Sequence, residues 1–193
     1  GSDAVFSLGV NYWDVPFKGA MDELNIYDLA LSPQQIKSLA GITTEEPEVP
    51  VEKSVVVYSF DETLTESTGK LDSATVTTDQ LHISSADTLS FEEGVKGQAV
   101  VFDGAHGVRL PNDLITTSSY SLSLWVKPEE FTSSTPSFFG ASSLDHWLSV
   151  VPMGWNNETL LWSKDFDNWY DGITGTLIPL NKWSHLTVTI DDG

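Results

Sequence analysis

One stretch concentrates the residues that could do chemistry: "DHWLSVVPMGWNNETLLWSKDFDNWYDG", residues 145–172. It carries Trp147, Trp155, Trp162, Trp169 and Tyr170, interleaved with Asp, Asn and Lys. An indole face packs against apolar C–H surface, and amides and carboxylates beside it pair with hydroxyls. A sugar offers both kinds of surface, so this mixture is what a sugar site requires. Tyr12 and Trp13, in "NYWDVP", add two rings of the same kind if their segment packs nearby. The competing account of these rings is that they fill a core or cover a sheet.

Other chemistries are poorly provided for. Glycoside hydrolysis needs two carboxyl groups in one cleft, which on a strand means alternate positions. "FDETLTE" sets Asp61, Glu62 and Glu66 off that spacing. In "MDEL", strand alternation sends Asp22 and Glu23 to opposite faces. The chain is therefore expected not to be an enzyme. His82, His106, His146 and His185 are scattered without ligand or catalytic spacing, although His146 stands beside Trp147. No phosphate loop, dinucleotide fingerprint or serine nucleophile elbow is present.

The formal net charge of -19 excludes more. A phosphate backbone needs a basic surface, so nucleic acid is not an expected partner, nor is an anionic membrane. Neutral glycans, cationic partners and divalent cations held by carboxylates remain compatible. There is no Cys, hence no disulfide, thiolate catalysis or Cys-bound zinc. No apolar run approaches the roughly 20 residues of a membrane helix.

The elements that must position the aromatics read as β-strands. In "YSLSLWVKP", Leu122, Leu124 and Val126 share one face, opposite Ser121, Ser123, Trp125 and Lys127. In "HLTVTID", Leu186, Val188 and Ile190 do the same. "SVVVYSF" and "QAVVFDG" are continuously apolar, as in strands covered on both sides. Gly, Asn, Asp and Pro punctuate these runs, which points to an all-β sandwich. "AVFSLGV" and "AMDELNIYDLA" read as two more strands. A short helix follows: Ser32 as N-cap, Pro33 at the first helical position, Gln35 completing a capping box, Leu31 and Ile36 as a staple, and Gly41 as terminator. Residues 42–53, "ITTEEPEVPVEK", read as an extended charged linker.

Taken in order, "VVVYSFDE", "GQAVVFDG", "YSLSLWVKP" and "NKWSHLTVTIDDG" resemble the opening strands of laminin-G-like domains of the concanavalin A-like superfamily. "FSLGV" and "FKGAMDELNIYDLALSPQQIKSLAG" resemble that family's closing strands and helix. The resemblance implies an antiparallel jelly-roll sandwich, usually a non-catalytic module of an extracellular protein. It also implies that residues 3–41 are a closing part placed before an opening part, 54–193. Three arrangements give this: the junction of two tandem domains, a permuted sandwich, or strand exchange between chains in a homo-oligomer. In the family a further hairpin is expected after Gly193.

Two site expectations come from the resemblance. The family's usual tryptophans correspond to Trp125 and Trp183, leaving Trp147, Trp155, Trp162 and Trp169 as additional rings. The family's first and last strands are neighbours, which brings Asp22 and Asp61 towards one structural Ca2+, with Asp103 a weaker candidate. Calcium takes about six to eight oxygens, so backbone carbonyls and water would complete the set. Asp61 and Asp103 are equally suited to turns with Asx hydrogen bonds. The function expected is polysaccharide binding by a secreted or bacterial cell-surface module beside other domains. The rival is a structural or adhesive spacer without a sugar site.

Overall fold

The computed structural model describes residues 3–42, 55–81, 83–131, 134–174 and 176–192. The linker from residue 43 onward, and His82, lie outside them. The strands are β1 (Val5–Leu8), β2 (Lys18–Tyr27), β3 (Val56–Tyr58), β4 (Thr75–Thr77), β5 (Ser90–Glu93), β6 (Gln98–Asp103) and β7 (Gly107–Leu110). They continue as β8 (Tyr120–Pro128), β9 (Phe138–Ser143), β10 (His146–Val151), β11 (Leu160–Asp165), β12 (Asn168–Ile173) and β13 (Ser184–Ile190). One helix, α1 (Pro33–Leu39), follows β2.

These strands form an antiparallel β-sandwich. One sheet has seven strands in the order β12-β11-β10-β9-β1-β7-β4. The other runs β13-β8-β2-β6-β5, with β3 also paired to β2. The early segment thus supplies a central strand to each layer. β1 lies between β9 and β7, with Phe6 opposite both Gly140 and Leu110. β2 lies between β8 on one side and β6 and β3 on the other.

Alternation decides what the layers bury. Leu122, Leu124 and Val126 are fully buried, while Trp125 and Lys127 on the opposite face are partly exposed. Phe6, Leu8, Leu24 and Ile26 join the same core as Phe102, Phe138 and Val188. Each of those four side chains contributes roughly 1.5–3 kcal/mol on burial.

The helix is built as its sequence dictates. The Ser32 hydroxyl accepts from the Gln35 N–H, and the Gln35 side chain accepts from the Ser32 N–H at 2.9 Å. Gly41, at φ 71°, takes the left-handed turn after the C-cap Ala40. The Ser121 hydroxyl on β8 accepts from the Leu31 N–H and donates to the Leu29 carbonyl, both at 2.9 Å. That anchors the helix entrance to the sheet.

Near β3, buried Glu66 is the best-satisfied acid. Burial alone would raise its pKa, but N–H groups of Val57, Thr68 and Lys70 donate to the carboxylate and bring it down to about 2. Its contribution to stability is full above the ordinary Glu range and is lost as the pH falls towards 2.

Leu8, with no exposed surface, tests the insertion of β1. Leu8→Ala is expected to cost about 2–5 kcal/mol, read as a lower urea midpoint at unchanged m-value. A loss well below 1 kcal/mol would contradict a β1 packed between β7 and β9.

Candidate functional site

The outer face of the seven-stranded sheet carries the aromatic residues. Trp147 on β10 and Trp169 on β12 both pair in register with Lys164 on β11. Trp162 precedes Lys164 by two residues, so the strand period places the three indoles and the ammonium on one face. The rings meet: Trp147–Trp162 at 4.9 Å and Trp147–Trp169 at 5.7 Å are edge-on, and Trp162–Trp169 at 5.5 Å is stacked. Trp155, from the loop between β10 and β11, stands edge-on to Trp162 at 4.9 Å.

The loop between β1 and β2 supplies the remaining rings. Trp13 lies 5.5 Å from Trp147, and Tyr12 lies 5.4 Å from Phe139. Buried Asn11 shapes this loop. Its Oδ1 accepts from the N–H groups of Trp13 and Asp14 at 2.9 and 2.8 Å, and its Nδ2 donates to the Asp14 carboxylate at 2.6 Å. Further along, the Thr135 hydroxyl donates to the Val15 carbonyl at 2.9 Å. Gly9 begins the loop at φ 74°, with the Phe102 ring 2.7 Å from where a Cβ would stand. The close approach and the backbone sign both demand glycine.

Between these elements is a pocket of about 190 Å³, walled by Trp13, Trp147, Trp162 and Trp169 with Asp14 and Lys164 at its margin. Trp147 is its floor, only 7% exposed, while Trp13 and Trp169 are 53% and 55% exposed. Lys164 is fixed by the Asp145 carboxylate at 2.6 Å and lies 5.3 Å from the Trp169 ring centre. The Lys164 hydrogen bond holds the Asp145 carboxyl below its usual range. Burial pushes the Asp14 carboxyl up, and the Asn11 amide opposes it. Apolar walls with one acid and one amine suit a small polyol ring.

Of the expected ring residues, Trp13, Trp147, Trp155, Trp162 and Trp169 converge, with Tyr12 behind Trp13. Tyr170 does not. It neighbours Trp169 on β12, so alternation turns it to the other face. Trp125 and Trp183 lie elsewhere, Trp125 against His185 at 4.9 Å and Trp183 under the Lys127 ammonium at 5.2 Å.

The carboxylates gather on the other sheet. Asp22 is fully buried, and its Oδ2 accepts from the Val95 and Lys96 N–H groups at 2.7 and 3.0 Å. Asp61 Oδ1 accepts from the Gln98 N–H at 2.8 Å, in the same turn. Asp103 stands apart, at the far end of β6 from Gln98, five residues and roughly 17 Å away. There it makes an Asx turn with Ala105 and His106, whose ring it also binds at 2.7 Å.

The expectation that Asp22 and Glu23 face opposite ways fails. The register between β2 and β8 slips between Asp22 and Asn25, a bulge with Glu23 at φ 49°. Met21 and Leu24 both enter the core, so the two acids between them both turn away from it. Asp22 Oδ1 and Glu23 Oε1 are buried without a hydrogen-bond partner. Among the described residues no three His, Asp or Glu side chains form a metal cluster by themselves.

Residues 102–193 match the family model described as the concanavalin A-like lectin/glucanases superfamily. That match covers just under half of this chain and agrees with the laminin-G-like resemblance. Comparison with solved structures finds domain 4 of AbnA, a GH43 extracellular arabinanase from Geobacillus stearothermophilus, in complex with arabinotriose. The two are 43% identical, with a TM-score of 0.67, over 70% of this chain and 66% of that one. This chain thus spans just under two thirds of that structure's length. Comparison with curated proteins finds no match. Among the described residues no helix is long and apolar enough to cross a membrane.

The exposure pattern of this aromatic face has a direct readout. Replacing Trp13, Trp155 and Trp169 together by Phe should remove most of the acrylamide-quenchable fluorescence. Quenching that persists undiminished would mean that these rings are not the exposed ones.

Proposed function

We propose that this chain is a non-catalytic carbohydrate-binding module and that the Trp13–Trp147–Trp162–Trp169 pocket holds an arabinose-containing oligosaccharide. One observation carries the reading: an indole-walled pocket with Asp14 and Lys164 at its edge, on a chain 43% identical to a domain solved with arabinotriose. Furanose C–H faces would stack on Trp162 and Trp169, and ring hydroxyls would reach Asp14 and Lys164. The acids nearest a hydrolytic pair, Asp22 and Glu23, are on the other sheet and face no part of this pocket. The module would act outside the cell, beside other domains of a longer protein, keeping a glycan close to them.

The test is titration calorimetry with arabinotriose. Trp162→Ala should weaken binding at least about tenfold, as removal of a central ring does. An affinity unchanged by Trp162→Ala and Trp169→Ala would remove the pocket from the reading. No heat with arabinotriose or longer arabinan would favour a structural or adhesive module.

We further propose a structural calcium ion between Asp22 and Asp61. Asp22 Oδ1 and the Asp61 carboxylate would hold it, with carbonyls of the 94–97 turn and water. Bound there, the cation would offset the charge of the two carboxylates and tie β2 to the β5–β6 turn. Burial first, then repulsion from neighbouring acids, raises the pKa of Asp22 and Glu23, while the Lys96 and Val95 N–H groups oppose it at Asp22. A raised carboxyl costs stability as the pH climbs through the ordinary acid range. A cation relieves that cost only where the acids are ionised. Calcium should therefore raise the melting temperature over chelated protein near pH 7, with the gain fading below about pH 4. Asp22→Asn should abolish the shift. Equal melting in calcium and chelator at pH 7 would rule the ion out.

Residues 3–41 and 55–192 would then act as one folded unit. Light scattering should give a monomer, and a stable dimer would mean that β1 and β2 are exchanged between chains.

A further inference from the structure

The aromatic face does not end at Trp13. The cross-strand row that contains Trp162 continues through Ser149, Phe139 and Ser7 to Arg109 on β7 and Thr75 on β4. Arg109 therefore lies on the same outer face as Trp162, four strand spacings away, roughly 19 Å. Tyr12 bridges the interval. It touches Trp13 at 5.3 Å on one side, and its phenol is close enough on the other to bear on the charge of Arg109.

Arg109 is the only arginine in a chain of net charge -19. Among so many acids it has no ion-pair partner within the described residues. Two of its donors are engaged, Nε to the Leu110 carbonyl at 3.2 Å and Nη2 to the Asn112 Oδ1. These bonds fix the guanidinium plane and leave other N–H groups of the fork free for a ligand. The side chain borders a second pocket of about 330 Å³, whose other walls are Thr75, Val76, Thr77, Leu81 and Ser84. Burial without a carboxylate nearby pulls the Arg109 pKa down. A half-buried, oriented and unpaired guanidinium among hydroxyls is a prepared site for a planar anion.

We propose that the Arg109 pocket is an acidic-sugar subsite, which takes the carboxylate of a uronic acid on the same glycan whose arabinose units lie on the tryptophans. This rests on the sugar reading of the aromatic pocket. The guanidinium would hold the carboxylate through two parallel N–H···O bonds, and the Thr75 and Ser84 hydroxyls would meet the ring hydroxyls. The overall negative charge makes the point selective. An acidic glycan is repelled by most of this surface, and Arg109 is the cation that this pocket offers it.

The probe is a pectic oligosaccharide fraction that carries galacturonate and arabinose, compared with the same fraction after its carboxyl groups are reduced to alcohols. Titrations run at about 0.15 M salt, where the Debye length of about 8 Å confines the general repulsion. Wild-type protein should bind the acid form about tenfold tighter than the reduced form. Arg109→Gln should erase that difference. Arg109→Lys, which keeps the charge but not the fork, should retain only part of it. Circular dichroism checks that each variant is folded. The wild-type comparison stands by itself if neither variant folds. Equal wild-type affinity for the two forms, with arabinotriose still bound, overturns the acidic subsite and leaves the aromatic pocket intact. Failure to bind arabinotriose as well overturns both.

Discussion

The pairing of β1 and β2 into the middle of their sheets is the constraint on which the rest depends. β1 supplies the hydrogen-bonding partner of both β7 and β9, and β2 that of β8, β6 and β3. Remove them and each sheet splits, with apolar strands left as open edges. The loop that joins them is equally consequential. It runs from one layer to the other, and its tip carries Tyr12 and Trp13 to the outer face beside Trp147. Core and candidate site are therefore completed by the same short segment.

That linkage explains why the site is rigid where it needs to be. Trp147 is nearly buried and packs with Val10, Phe139 and Ala141 in a small second cluster on the outer face. Rings on that floor lose little freedom when a ligand arrives, because packing has already fixed their rotamers. Asn11 does the same for the backbone of the loop through its two N–H acceptor contacts. The exposed rings, Trp13, Trp155 and Trp169, need only lean on a wall that already exists.

Much of this was legible in the sequence, for physical reasons that also mark where it stopped. Period-two alternation identified the buried faces of "YSLSLWVKP" and "HLTVTID", since both strands pair without a bulge against each other. The capping residues announced the helix because caps are local chemistry. The acids of "MDEL" were misread because alternation assumes a regular ladder. The slip against β8 is a property of the pair, which one strand cannot reveal. Tyr170 was grouped with Trp169 by proximity along the chain, although alternation on β12 separates them. Asp103 was grouped with Asp22 and Asp61 by residue type, although β6 holds it at the wrong end.

Arg109 is inconspicuous in the sequence for a different reason. Its one available signal was rarity: a lone arginine in "HGVRLP", in a chain short of cations. Composition treats such a residue as negligible against the net charge. Local electrostatics treats it oppositely, because on a strongly acidic surface an unpaired cation is a favourable point for an anion. What fixes its meaning is register, which sets Arg109 on the same outer face as Trp162. That register runs through Ser7, and so returns to the insertion of β1.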